Sequence, residues 1–259
     1  MEGNFNSSVT RCLLILECFS ARDPRMTSFE IQKRCDIPKS TLFRLLATLK
    51  GLNYLKRDPE TGKYSLGPKV LSLGFAVLSS QESREIVRPY LQTLSQELGW
   101  SINLLMLDKD AMVFIERIRI PSLMDFNIGI GSRIPVYNTA AGRVVLAHLT
   151  EERFRETVAQ IKKDPRAAQY IGKTGEKLQD IRSEVRTRGY AINDEESGKG
   201  IRALAVPIFS AQDVPYAMNM VTSPQSISIA ELRRKFAPRL MEVGKGISQA
   251  LGYQDGKVR

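Results

Sequence analysis

The segment from Thr27 to Leu66 constrains the fold most, because it sets helix, tight turn, helix and hairpin directly after one another. Thr27-Ser28-Phe29-Glu30 places a Glu three positions after a Thr, the reciprocal capping box that satisfies backbone donors at a helix start. A short helix to about Arg34 is expected. Cys35-Asp36-Ile37 reads as a tight connection. Pro38 suits the first position of the next helix, because its missing N–H had no intrahelical partner. In that helix Leu42, Leu45, Leu46 and Leu49 form one apolar stripe, whereas Lys39, Ser40, Phe43, Arg44, Ala47 and Thr48 fall on the other side. Gly51 ends it. Residues 53–56 and 63–66 are short extended runs joined by the turn formers Asp58-Pro59-Glu60-Thr61-Gly62, a hairpin pattern. Upstream, residues 8–20 carry Val9, Leu13, Leu16 and Ser20 at helical spacing, with Cys12 and Phe19 filling the same stripe. Two helices, a turn, a helix with one polar face and a basic hairpin describe a winged helix-turn-helix.

A helix entering the major groove needs short polar groups near the phosphates and a long forked donor to reach guanine. Lys39, Ser40, Thr41 and Arg44 meet that need. Lys50 and the hairpin residues Lys56, Arg57 and Lys63 are placed to neutralise phosphates, which adds affinity but little sequence discrimination. The alternative for this helix is an ordinary solvated amphipathic face, and for the hairpin a solvated basic turn. The preceding helix and the basic hairpin favour the first reading; the charge excess by itself suits either a polyanionic partner or an acidic ligand. The 259-residue chain carries a net charge of +10, and residues 1–80 hold 12 basic against 7 acidic side chains, denser than the remainder.

At ~150 residues per domain the length predicts two domains. A hydrophobic fraction of 42% and a charged fraction of 25% exclude disorder over most of the chain. The longest apolar stretch, residues 70–78, is interrupted by Ser72 and Gly74 and falls short of the ~20 residues a membrane span needs. Residues 12–19 resemble a signal core, but Glu17 interrupts them and no cleavage site follows. A cytoplasmic protein is expected. Cys12, Cys18 and Cys35 form no Cys-x-x-Cys pair and His148 is the sole histidine, so no metal or other cofactor is expected.

Residues 67–81 read as an unusually apolar helix with Val70, Leu71, Leu73, Phe75, Val77 and Leu78, either one more core helix or a linker that packs on a second subunit. The domain boundary is placed here, giving 1–66, 67–81 and 82–259. Beyond it, residues 86–98 are helical and stopped by Gly99; residues 101–107 and 111–118 are strands; residues 125–130 continue extended. Residues 139–149, 151–161 and 175–188 are helices, the last capped by Thr174 and followed by Gly189. Residues 190–192, 203–209 and 216–222 are strands. Ser228-Ile229-Ala230-Glu231 is a second capping box opening a final helix to about Leu251. This is a mixed α/β (α+β) sensor-like domain.

Residues 28–31, 37–49 and 63–67, then Gly131-Ser132-Arg133-Ile134-Pro135-Val136-Tyr137-Asn138-Thr139-Ala140-Ala141-Gly142-Arg143, Asp194-Glu195-Glu196, Gly200-Ile201-Arg202 and Ile247-Ser248, resemble IclR-type bacterial transcriptional regulators along nearly the whole chain. The resemblance implies a winged helix-turn-helix, a linker helix and a GAF-like effector domain, acting as homodimers or homotetramers on double-stranded operator DNA. It adds Ser28 and Phe43 to the expected DNA-contacting residues. It points to an effector pocket of Phe126, Ile134, Ala140, Ala141, Asn193, Ile201, Ala203, Met220 and Thr222. Small residues at a helix start let an anion approach free N–H groups, although they also serve plain packing. Residues 131–135 and 141–147 are similar to the subgroup controlling aromatic-acid catabolism. The implied effector is therefore an aromatic carboxylate, with its acid at Ala140 and Ala141 and its ring against Phe126, Ile134 and Met220.

Other classes find less support. Ser197-Gly198-Lys199-Gly200 lacks the first glycine and the hydroxyl residue of a phosphate loop. Asp194, Glu195 and Glu196 are adjacent loop carboxylates, more often solvated or capping than catalytic. His148 has no nucleophile motif nearby. A cytosolic small-molecule enzyme with a basic accessory domain would need a constellation this inventory does not offer. A basic architectural DNA-binding protein without an effector is the third class.

Overall fold

The computed structural model describes residues 5–120, 128–172, 175–211 and 215–254. The chain divides into two compact units, the first made mainly of residues up to Ser80 and the second mainly of residues from Gln81 on.

In the first unit α1 (Ser7–Glu17) is capped by Asn6, whose side chain accepts from the Ser8 and Val9 N–H groups. It is shorter than its apolar pattern predicts; Cys12, Leu16 and Phe19 of the expected stripe pack on the core, and Ile15 joins them. Val9 and Leu13 are exposed, whereas Ile15 is fully buried. The helix stops at Glu17, so Cys18 and Phe19 turn inward from outside it and draw the Ile15 side into the core. α2 (Ser28–Cys35) opens on the reciprocal Thr27–Glu30 capping box. It ends on Asp36, whose left-handed φ of 50° reverses the chain sharply. α3 (Lys39–Gly51) then begins, with Pro38 as its N-cap rather than its first helical residue. Leu42, Leu46 and Leu49 are buried against Ile15, Ile31 and Leu55, and Leu45 lies half-buried beside them.

β1 (Leu55–Arg57) and β2 (Tyr64–Leu66) pair antiparallel. Asp58 Oδ1 accepts from the N–H groups of Glu60 and Thr61 and shapes the turn between them. Tyr64 and Met26 exchange both backbone hydrogen bonds, which ties this hairpin to the segment entering α2. α4 (Pro68–Ser79) buries none of its residues; Leu71 is 76% and Phe75 67% exposed.

The second unit opens with α5 (Glu82–Leu98), which starts four residues earlier than its pattern predicts and ends on left-handed Gly99. β3 (Ile102–Asp108), β4 (Ala111–Ile118), β5 (Arg133–Pro135), β6 (Ala191–Asp194), β7 (Arg202–Ile208) and β8 (Tyr216–Thr222) form one antiparallel sheet in the order β5-β4-β3-β8-β7-β6. Of the expected extended run at 125–130, residues 125–127 lie outside the described residues and Ile128–Ile130 is not a strand. The edge strand beside β4 is β5, which begins at Arg133, three residues past the end of that run. Between β5 and β6 come α6 (Ala140–His148), α7 (Glu151–Ile161), a 3-10 turn at Pro165–Ala167, α8 (Ala168–Ile171) and α9 (Glu176–Arg188). The expected cap Thr174 lies outside the described residues; Gly175 precedes α9 in the left-handed region.

The final helix is not continuous. α10 (Ile229–Glu231) leads into a π turn, Leu232–Phe236, before α11 (Ala237–Ala250). Pro238 offers no N–H to the preceding turn, and Ala237 N–H reaches back five residues to Leu232 O.

Helices cover both sheet faces. α5 and α11 pack on Ile102, Leu104, Leu204, Val206, Met218 and Met220. By strand alternation the opposite face carries Asn103, Leu105, Ala203, Ala205 and Asn219, and α6 packs there with α9 behind it. No described helix is long and apolar enough to cross a membrane.

Candidate DNA-reading helix and effector face

The leucine side of α3 is spent on the core, so the other side must face outward. Lys39, Ser40, Phe43, Arg44, Ala47 and Thr48 are exposed, Thr41 is half-buried, and Thr48 Oγ1 donates to Arg44 O at 3.0 Å. Lys50 is exposed at the far end. Ser28 sits half-buried at the first position of α2. In the hairpin Lys56, Arg57 and Lys63 are exposed, and the Arg57 guanidinium lies 5.9 Å from the Tyr64 ring centroid while its Nε donates to Gly62 O. The structure thus brings the expected α3 residues onto one accessible face, with Arg57 partly engaged in shaping its own turn. Among the described residues no group of three or more His, Cys, Asp or Glu side chains could hold a metal.

In the second unit Thr139 caps α6, its Oγ1 accepting from Gly142 N–H and donating to Pro135 O. Ala140, Ala141 and Gly142 are buried. The small side chain at Gly142 answers to packing, because a β-carbon there would collide with the Val136 backbone. Asn193 is fully buried; its Nδ2 donates to Asn138 O at 2.6 Å and its Oδ1 accepts from Ser197 Oγ at 2.9 Å. Ile134 stands opposite Met112, on the α6 face. Ala203 pairs with Asn193 and shares that face. Ile201 is half-buried just before β7.

Met220 and Thr222 do not join them. Met220 belongs to the core beneath α5 and α11, and Thr222, two residues on, points to the same side. Phe126 lies outside the described residues. Two residues with no place in the sequence expectation occupy the α6 face instead. Asn103 Nδ2 donates to Asn219 Oδ1 at 2.8 Å, both side chains are buried, and Asn103 Oδ1 has no hydrogen-bond partner among the described residues. The available signal was one asparagine inside each of two otherwise apolar strands.

The acidic loop is structural. Asp194 binds Arg202, Glu195 Oε1 accepts from Gly200 N–H at 2.7 Å, and Glu196 pairs with Arg143, which also donates to Ile192 O. A carboxylate therefore occupies the turn at Gly198-Lys199-Gly200 where a phosphate loop would need open N–H groups. His148 ends α6 with its ring edge-on to Phe209 at 5.0 Å; burial first, then Arg186 and Arg182, hold its pKa down to about 4.

An exposed reading helix with its hairpin, and a separate α/β unit whose sheet carries buried polar groups under a helix, define a DNA-binding regulator with a sensing domain. The family comparison agrees. The IclR helix-turn-helix domain matches residues 8–59 and the bacterial transcriptional regulator IclR C-terminal domain matches residues 75–249. The chain belongs to the IclR family of bacterial transcriptional regulators, DNA-binding proteins with a small-molecule effector domain and not enzymes. It is 32% identical over 258 residues to the Pca regulon regulatory protein of Pseudomonas putida, covering 96% of this chain and 86% of the relative. The crystal structure of an IclR family transcriptional regulator from Brucella abortus is 25% identical, with a TM-score of 0.81 over 96% of this chain and 94% of that one. An IclR homolog from Microbacterium hydrocarbonoxydans, complexed with 4-hydroxybenzoate, has the same fold, with a TM-score of 0.74 at 24% identity over 95% of this chain and 99% of its own.

Proposed function

We propose that this protein regulates a catabolic operon in the cytoplasm, with residues 1–66 reading operator DNA, residues 67–81 linking, and residues 82–259 binding an aromatic carboxylate. The observation that carries the DNA reading is the division of α3, where Leu42, Leu46 and Leu49 are buried while Lys39, Ser40 and Arg44 stand exposed. Arg44 is the donor that reads a base edge; Lys39, Ser40, Thr41, Phe43 and Ser28 set the approach. Lys50, Lys56, Arg57 and Lys63 neutralise phosphates.

The effector seat is the sheet face under α6, formed by Ile134, Ala140, Ala141, Asn193 and Ala203, with Ile201 at its margin. Asn103 and Asn219 supply its polar groups, and Met220 and Thr222 are not part of it. The resemblance to the aromatic-acid subgroup supports the ligand class, and the same fold in the Microbacterium homolog accommodates an aromatic carboxylate. Binding shifts the balance between DNA-competent and incompetent forms by no more than the ligand's differential affinity for them. The bare apolar helix α4 supports self-association as a homodimer or homotetramer.

Footprinting on an operator fragment, with and without ligand, tests the whole reading. Thermal-shift screening compares benzoate-like and phthalate-like acids with glyoxylate and sugar acids. Stabilisation by an aromatic acid together with a changed footprint is expected. A response confined to glyoxylate or sugar acids overturns the effector class, and absence of sequence-selective protection overturns operator reading.

A further inference from the structure

Cys18 follows α1 and Cys35 closes α2, and their Sγ atoms stand 2.8 Å apart. A disulfide needs about 2.05 Å, so less than an ångström of movement separates this contact from a bond. Cys35 is half-buried and Cys18 buried, so oxidants meet Cys35 first. We propose that Cys18 and Cys35 are a thiol–disulfide pair that hydroperoxides close into a covalent staple between α1 and α2.

The chemistry balances in two steps. The Cys35 thiol gives up its proton and its thiolate attacks the hydroperoxide O–O bond, giving a sulfenic acid at Cys35; the alkoxide that leaves takes up that proton and departs as an alcohol, or as water when the oxidant is hydrogen peroxide. Cys18 Sγ then attacks the Cys35 sulfur, the S–O bond breaks, and the Cys18 proton leaves with the hydroxide as water. Two thiols lose two electrons and the peroxide gains them. Burial, then the hydrogen bond with Cys35, pushes the Cys18 thiol up to about 12. Cys18 is therefore the resolving partner and not the group that meets peroxide.

The staple closes on an arrangement that already exists. Asp36 remains left-handed and α3 keeps its exposed face, so the oxidised form retains DNA binding. Cross-linking positions separated by 17 residues restricts the unfolded chain and stabilises the unit. This inference does not depend on the effector.

The test uses the full chain treated with hydrogen peroxide. The number of titratable thiols should fall from three to one, and peptide mass mapping should recover a Cys18–Cys35 linkage. The melting temperature of the unit should rise by several degrees and return with dithiothreitol, while affinity for operator DNA stays within twofold. Cys12→Ser should behave like wild type and Cys35→Ala should lose the shift. Oxidation that stops at a single cysteine, a linkage through Cys12, or three intact thiols under conditions that oxidise free cysteine would each overturn the proposal. The mapping on the wild-type chain decides the matter even if Cys35→Ala folds poorly.

Discussion

Gly142 lies so close to Val136 that any β-carbon on it would overlap the Val136 carbonyl group. That contact holds the first turn of α6 against the segment leaving β5, and with it the buried Ala140 and Ala141. Gly142→Ala should destabilise the second unit by about 1–3 kcal/mol or more, the usual cost of forcing extra volume into a packed core. Urea unfolding of the variant checks this; a loss under about 0.5 kcal/mol would show that the turn yields freely.

Arg44 and Lys56 should fail differently. Arg44→Ala is expected to cost about 1–3 kcal/mol at one base position of the operator and to relax the preference there. Lys56→Ala should weaken all sequences alike and reduce the salt slope by about one. Binding isotherms on the operator, a point-substituted operator and random DNA at three salt concentrations separate the two; equal losses on random DNA contradict the assigned roles.

His148 predicts a pH dependence. Its folded pKa of about 4 lies below the ordinary value of 6.5. Between those values the unfolded chain binds the extra proton, so stability is full above pH 6.5 and declines as pH falls towards 4. Between pH 7 and pH 5 the loss should be about 2 kcal/mol, and His148→Gln should abolish most of it. Arginine-bonded carboxylates such as Glu151 are also held low, so their contributions are lost only at more acid pH. A wild-type stability that stays flat from pH 7 to pH 5 would contradict this environment.

The Asn103–Asn219 pair should show strong coupling. Asn103→Leu alone strips the Asn219 carbonyl of its donor, at a cost of about 1–3 kcal/mol. The double variant Asn103→Leu/Asn219→Leu removes both polar groups and should recover much of that loss. A double-mutant cycle by urea unfolding reads the coupling, and simple additivity would mean the two amides act independently.

The exposed side chains of α4 give a test of assembly. Leu71→Ser with Phe75→Ser should lower the sedimenting species by at least one step in subunit number. A wild-type monomer at micromolar concentration, or an unchanged assembly in the variant, would remove α4 from the interface.

Local chemistry was legible in advance. The capping boxes at Thr27 and Ser228, the glycine stops at Gly99 and Gly189, and the stripe of Leu42, Leu46 and Leu49 each depend on neighbours a turn or less away, and the backbone answers them directly. The motifs of the IclR family were likewise visible as residues in order.

Which side of the sheet each strand residue takes was settled only by tertiary structure. α6 covers one face and α5 with α11 the other, so β7 and β8 are apolar almost throughout and lack the alternation that would orient Met220, Thr222 or Asn219. The inward side of α1 was likewise decided by where Cys18 and Phe19 leave the helix, and the contact of Cys18 with Cys35 by the meeting of two helices. Periodicity reports that a face is apolar; what covers that face is fixed by segments remote in the chain, whose packing no local window contains.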